Sequence, residues 1–136
     1  MAVIEIVSPG NKHSKRAVKD FVSKFDELLL AGIHVVVVDL FPPTQRDPNG
    51  LHGLIVECYD NEPYLPPADK PLTLSSYVVI PREETTAYVE PAAVGDPLSP
   101  MPLFLTADYY IDLPLEETYA ATWTACPEPI RKLVLG

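Results

Sequence analysis

The chain has 136 residues, with 10 Lys and Arg against 19 Asp and Glu, so its formal net charge is −9 at pH 7. This length predicts a single α/β domain over residues 1 to 136, with one core. A chain this negative repels nucleic acid and anionic lipid, so we expect neither nucleic acid nor a membrane as a partner. No apolar run reaches the roughly 20 residues that span a bilayer, and a signal-peptide pattern is lacking. These features predict a cytoplasmic protein.

The first part of the chain alternates strand, helix and strand. "AVIEIVS" is a β-branched run that ends at Pro9 and Gly10, which indicates a strand followed by a turn. Apolar residues at helical spacing predict a helix over residues 14 to 31, with Asn11 or Ser14 as the N-cap. "IHVVVVDL" is almost entirely apolar, as expected of a parallel strand covered on both faces. Residues 2 to 40 therefore predict a βαβ unit.

The second part is rich in proline and its pattern is less regular. "LHGLIVECY" fits a short helix or an irregular segment, and periodicity does not decide between them. "LSSYVVI" and "TAYVEPA" predict a hairpin over residues 74 to 92, in one mixed sheet with the βαβ unit. We expect residues 91 to 102 to run extended along the surface. A helix over residues 115 to 125 follows Pro114, and "PIRKLVL" predicts a last short helix.

Two motifs in the first part carry a family resemblance. "EIVSPGNK" and "HVVVVDL" resemble the E-I-x-S-P-x-N-K and H-x-V-x-x-D-L motifs of an uncharacterised bacterial domain-of-unknown-function family. That family is similar to the restriction-endonuclease-like PD-(D/E)XK superfamily. The resemblance is specific over residues 3 to 40 and looser through the hairpin and the "IDLPLEETY" segment.

The resemblance implies a metal-dependent nuclease site that is incomplete in this chain. In the superfamily an Asp from a preceding strand, an acidic residue of the next strand and a Lys two residues later form the site. Glu5 matches the acidic residue, but Val7 stands where the Lys is expected, so Lys12 or Lys15 would have to replace it. The resemblance also implies that the N-terminal part with the first Asp is lacking, unless Asp39 or another subunit supplies that carboxylate.

Each acidic candidate has an ordinary structural alternative. An unpaired buried carboxylate is costly, so Glu5 is either a metal ligand, a solvent-facing charge near the sheet edge, or the partner of Lys12 or Lys15. Asp39 ends a parallel strand, where ligand-binding groups gather in open α/β sheets, or it caps the turn that follows. The histidines and the two cysteines show no metal-binding spacing.

Basic residues are concentrated where the first helix begins. Cations oppose the helix dipole at that end, so we expect an anion, or an acidic segment of this or a neighbouring chain, to neutralise them. The alternative is a solvated helix face. The predicted anion-binding turn consists of Ser8, Asn11, Lys12, Ser14, Lys15 and Arg16.

Two functions from different classes remain. The first is a non-catalytic or relict restriction-endonuclease-like domain that serves as a binding or assembly module, needs no cofactor and forms a homo-oligomer. The second is a Mg²⁺-dependent phosphodiesterase or nuclease in which Glu5 and Asp39 hold the metal and Lys12 or Lys15 completes the catalytic site. The missing Lys spacing and the negative charge favour the first.

Overall fold

The computed structural model describes residues 1–60 and 62–135. The strands are β1 Ala2–Ile6, β2 His34–Asp39, β3 Leu72–Val78, β4 Thr86–Ala92, β5 Met101–Thr106 and β6 Tyr109–Leu113. The helices are α1 Lys15–Leu30, α2 Gly50–Tyr59, α3 Leu115–Ala125 and α4 Glu128–Leu135, and a short 3₁₀ turn covers Pro9–Asn11. The predicted α/β class is confirmed.

The main sheet has the strand order β1-β2-β3-β4. β1 and β2 are parallel, and β3 is antiparallel to both β2 and β4. The predicted βαβ unit and the hairpin in the same mixed sheet are therefore confirmed. Glu5 lies opposite Val37 in the parallel pair, and Asp39 lies opposite Thr73 in the antiparallel pair.

Helix α1 forms where the periodicity predicted it. The side chain of Ser14 accepts a hydrogen bond of 3.0 Å from the backbone N–H of Ala17, which caps the first turn. The helix is followed by Gly32 with a φ of 75°, a conformation that favours glycine at a helix end. The buried face packs on the sheet, where the rings of Phe25 and Tyr77 meet edge to face with centroids 4.6 Å apart.

The segment that periodicity left open forms helix α2. Leu51 and Ile55, one helical turn apart, are buried against the same side of the sheet as α1. Gly50 opens the helix with a φ of 77°. The predicted helix over residues 115 to 125 is confirmed as α3, and the last short helix as α4.

The other side of the sheet is covered by a second hairpin that the sequence did not predict. Residues 91 to 102 were expected to run extended along the surface; β5 begins at the end of that range with Met101, which is buried and pairs with β6. Met101 and Leu103 pack on Val36, Val38 and Leu74 of the main sheet. Proline is tolerated in β5 because each strand of a two-stranded sheet has an unpaired edge. The burial of Met101 and Leu103 then stabilises the hairpin on the main sheet.

The β1 edge bears on the prediction of self-association. β1 is the terminal strand of the sheet, with Ile4 43% and Ile6 74% exposed. Self-association stays a prediction, and this open edge is the surface on which it depends. Among residues 1–60 and 62–135, no helix has the length and apolar character that crossing a membrane requires.

The packing of α1 on the sheet gives the first testable prediction. Phe25→Ala, at a ring that is 2% exposed, should lower the free energy of unfolding by about 3–5 kcal/mol, because it removes a buried ring and leaves a cavity. Leu30→Ala on the same helix, at a side chain 87% exposed, should change it by less than about 0.5 kcal/mol. Urea denaturation followed by circular dichroism measures both. Similar losses for the two variants would contradict the packing of α1.

Candidate functional site

A tight turn after β1 directs Lys12 into the protein. The backbone N–H and the hydroxyl of Ser8 both donate to Asn11 Oδ1, at 2.8 Å and 3.1 Å, and the N–H of Lys12 donates to the carbonyl of Pro9 at 3.1 Å. These bonds form the 3₁₀ turn at Pro9–Asn11, directly before Lys12. The Lys12 side chain that follows is only 4% exposed.

The ammonium group of Lys12 is enclosed by three oxygen atoms. Nζ lies 2.9 Å from Asp39 Oδ1 and 2.8 Å from Asp47 Oδ2, and it donates a hydrogen bond of 2.9 Å to the carbonyl oxygen of Phe41. Asp39 is 2% exposed and Asp47 is fully buried. The contact with Asp47 Oδ2 is an ion pair without hydrogen-bond alignment. We call Lys12, Asp39 and Asp47 the buried ion cluster.

Both carboxylates are also held by neutral donors. Asp39 accepts from the backbone N–H groups of Phe41 at 3.4 Å and Leu51 at 3.3 Å, so it fixes both the turn after β2 and the first turn of α2. Asp47 Oδ1 accepts from the backbone N–H of Thr44 at 3.0 Å and from its hydroxyl. Burial raises the pKa of Asp39, and the ion pair with Lys12 and these N–H groups oppose that shift.

The cluster joins three segments that are distant in sequence. Lys12 comes from the β1–α1 connection, Asp39 from the end of β2, and Asp47 from the loop between β2 and α2. The guanidinium of Arg46 adds a further link, since Nη1 donates to the backbone carbonyl of Lys12 at 3.2 Å. The position of the loop over the sheet therefore depends on this one lysine.

Two buried hydroxyl side chains lie on β3, the strand that pairs with β2. Thr73 and Ser75 are each 1% exposed, and within the described part of the chain neither side-chain oxygen has a hydrogen-bond partner. A Cβ atom at Gly50 would lie 3.6 Å from Asp39 Oδ2 and 3.7 Å from Thr73 Oγ1. Helix α2 thus begins directly against this polar strip, where glycine also supplies the positive φ.

Glu5 has a different lysine partner from those considered in the sequence. Its carboxylate lies 2.8 Å from Nζ of Lys24, with side-chain exposures of 21% for Glu5 and 61% for Lys24. The sequence suggested Lys12 or Lys15, but Lys12 is enclosed by Asp39 and Asp47, and Lys24 in the second half of α1 pairs with Glu5 instead. Asp39 shares the sheet face of Glu5, yet each carboxylate is paired with its own lysine.

The residues of the predicted anion-binding turn are divided between the interior and the surface. Lys12 is enclosed by Asp39 and Asp47, and the Ser14 hydroxyl oxygen caps α1. Lys15 and Arg16 are exposed, and Arg16 lies 3.9 Å from Asp20 one turn further along the helix. Ser8 and Asn11 bond to each other. One of the two expectations was that an acidic segment of the same chain neutralises the basic residues. The two aspartates beside Lys12 are consistent with that expectation for this one residue.

A second buried polar pair involves His52 in the first turn of α2. His52 Nδ1 and the hydroxyl of Tyr77 are 2.6 Å apart, and His52 is only 4% exposed. Burial lowers the pKa of His52 to about 4, so the ring is neutral at pH 7, and burial raises the pKa of Tyr77. Both line a cavity of about 550 Å³ with Glu83 and Glu84 at its rim.

Neither Asp47 nor His52 was predicted from the sequence as a site residue. Asp47 stands in an Asp-Pro turn, where an acidic residue is ordinary, and nothing local indicates that it pairs with Lys12. His52 is a single polar residue in the apolar run of α2, which was a usable signal for a buried, hydrogen-bonded side chain. In residues 1–60 and 62–135 no group of three or more His, Cys, Asp and Glu side chains is placed to hold a metal ion.

Comparison with known proteins adds no relative from which a role could be transferred. No protein-family model matches the chain, and neither a curated protein nor a solved structure matches it significantly. The class defined by the fold and the site is a mixed α/β domain with a lysine and two aspartates buried between its sheet and its helices.

The buried ion cluster predicts a large, pH-dependent effect of Lys12→Met. Removing the ammonium leaves two buried carboxylates without their cation, so the free energy of unfolding should fall by about 3–5 kcal/mol at pH 7. Part of that loss should return at lower pH, since the folded-state pKa of Asp39 already lies above 3.8 and rises further without Lys12. Urea denaturation at pH 7 and pH 5 measures both effects.

Lys15→Met is the matched control, because Lys15 is exposed on the adjoining helix. Its effect should stay within about 0.5 kcal/mol at either pH. Equal losses in the two variants, or a loss in Lys12→Met that does not change with pH, would contradict the cluster.

The depressed pKa of His52 predicts acid sensitivity. Folding favours the neutral ring, so this stabilisation is complete above pH 6.5 and is lost as the pH falls toward 4. In His52→Gln that loss disappears, and the variant should gain on the wild type by up to about 3 kcal/mol between pH 7 and pH 4. The exposed His13→Gln should show no such gain. Parallel pH profiles for wild type and His52→Gln would refute the assignment.

Proposed function

We propose that the chain is a non-catalytic binding or assembly module built on a restriction-endonuclease-like fold. The observation that carries the proposal is the enclosure of Lys12. A catalytic lysine has to reach a phosphate or an attacking water, but Nζ of Lys12 has three protein oxygens within 2.9 Å and its side chain is 4% exposed. This lysine serves the core rather than a substrate.

The acidic residues support the same proposal. A divalent cation at Asp39 would lie beside the ammonium group of Lys12, which is 2.9 Å from Oδ1, and the two like charges would repel each other. Glu5 contributes its carboxylate to Lys24 instead. The residues present therefore do not fit the Mg²⁺ site of a nuclease.

Isothermal titration with Mg²⁺ and Mn²⁺, together with an assay of metal-dependent DNA cleavage, tests this proposal. We expect no saturable heat of binding and no cleavage with the wild-type chain. Glu5→Gln is the diagnostic variant, because its half-exposed ion pair contributes little to stability and the variant should fold. Saturable Mn²⁺ binding or cleavage that is lost in Glu5→Gln would overturn the proposal in favour of the nuclease.

A further inference from the structure

A groove of about 560 Å³ lies between α1 on one side and α2 with its preceding loop on the other. Its floor is apolar and its rim is basic. The floor includes Val18, Val22 and Leu54, and the cations at the groove are Lys15, Lys19 and Arg46. Glu57 is the one acidic residue among the groove's lining, so three positive charges face a single negative charge in a chain whose net charge is −9.

These three cations have no acidic partner within the described residues. The ion pairs there engage Lys12, Arg16, Lys24 and Lys132. Lys15 and Lys19 lie one helical turn apart on α1, and like charges at that spacing destabilise a helix. Helix α1 also has no acidic residue in its first turn, where an anion would be favoured. The groove thus brings together three positive charges that no ion pair within the described residues neutralises.

Arg46 is already positioned for recognition of a carboxylate. Its Nη1 donates to the backbone carbonyl of Lys12 at 3.2 Å, which anchors one side of the guanidinium to the turn that the buried ion cluster fixes. Arginine has five N–H donors, so others remain for a ligand. Carboxylates bind this planar group with two parallel hydrogen bonds.

We propose that this groove binds an acidic segment of a protein partner, with carboxylates toward Lys15, Lys19 and Arg46 and an apolar side chain on the floor. The inference deepens the proposed function and rests on it, since it names the partner of the binding module. The apolar floor distinguishes this ligand from inorganic phosphate. A nucleic acid carries a phosphate at every nucleotide, whereas three cations in a chain of net charge −9 match only a few carboxylates.

Fluorescence anisotropy with short labelled peptides tests the inference in the full chain. The first peptide alternates Glu and Leu, the second replaces every Leu by Ser, and a single-stranded DNA of equal charge is the third ligand. We expect the Glu-Leu peptide to bind more tightly than the other two. Its affinity in the double variant Lys15→Gln/Lys19→Gln should fall about tenfold, as expected for two exposed ion pairs.

The matched control is Lys70→Gln/Lys132→Gln, which removes two exposed lysines elsewhere and the same net charge. It should bind the peptide like the wild type. The Lys15→Gln/Lys19→Gln variant should also unfold at the same or a higher temperature than the wild type, because the repulsion within α1 is relieved. Equal losses of affinity in both double variants, tighter binding of the DNA, or no binding of the peptide would overturn the inference.

The outcomes separate this inference from the proposed function. If the peptide binds through Lys15 and Lys19 while Mn²⁺ also binds through Glu5, the groove stands and the non-catalytic assignment fails. If neither the peptide nor a metal binds, the groove fails and the non-catalytic assignment stands.

Discussion

The fold depends on the enclosure of one ammonium group by two carboxylates. Removing Lys12, Asp39 and Asp47 from water costs several kcal/mol per ion, and their mutual attraction recovers that cost only with close geometry. The distances of 2.9 Å and 2.8 Å from Lys12 meet the requirement. Because the three residues come from separate segments, the cluster forms only when the turn after β1, the end of β2 and the following loop all reach their final positions. The cluster therefore favours one relative position of these three segments over others, in addition to stabilising the fold.

This constraint orders the structure around it. Asp39 accepts a hydrogen bond from the backbone N–H of Leu51, so the cluster holds the start of α2, and the first turn of α2 contributes His52 to the buried pair with Tyr77. Arg46 is anchored to the carbonyl of Lys12, so the basic rim of the groove is tied to the same turn. The turn that carries the enclosed Lys12 thus also anchors Arg46, one of the three cations of the proposed groove.

Local sequence patterns predicted most of the helices and strands. They did not predict the contacts between segments that are distant in sequence. The apolar spacing between Val18 and Leu29 and the β-branched run after Ile33 predicted the βαβ unit, because each signal lies within one element. The β5–β6 hairpin was missed since its strands are short and interrupted by proline, and their burial depends on a sheet formed earlier in the chain. Of the residues at the candidate site, the sequence indicated Glu5, Lys12 and Asp39 as candidates for a functional role. It could not pair them, because which lysine reaches which carboxylate depends on how α1 crosses the sheet.

The most direct test of the central claim is a ¹H–¹⁵N correlation spectrum of the lysine side-chain ammonium groups near neutral pH. An exposed ammonium exchanges its protons rapidly with water, whereas an enclosed one exchanges slowly and gives a signal. The account predicts one slowly exchanging ammonium, assigned to Lys12 by its loss in Lys12→Met, with nuclear Overhauser contacts to the residues around Asp39 and Asp47. Rapid exchange at every lysine, or a slow signal that belongs to another lysine, would contradict it.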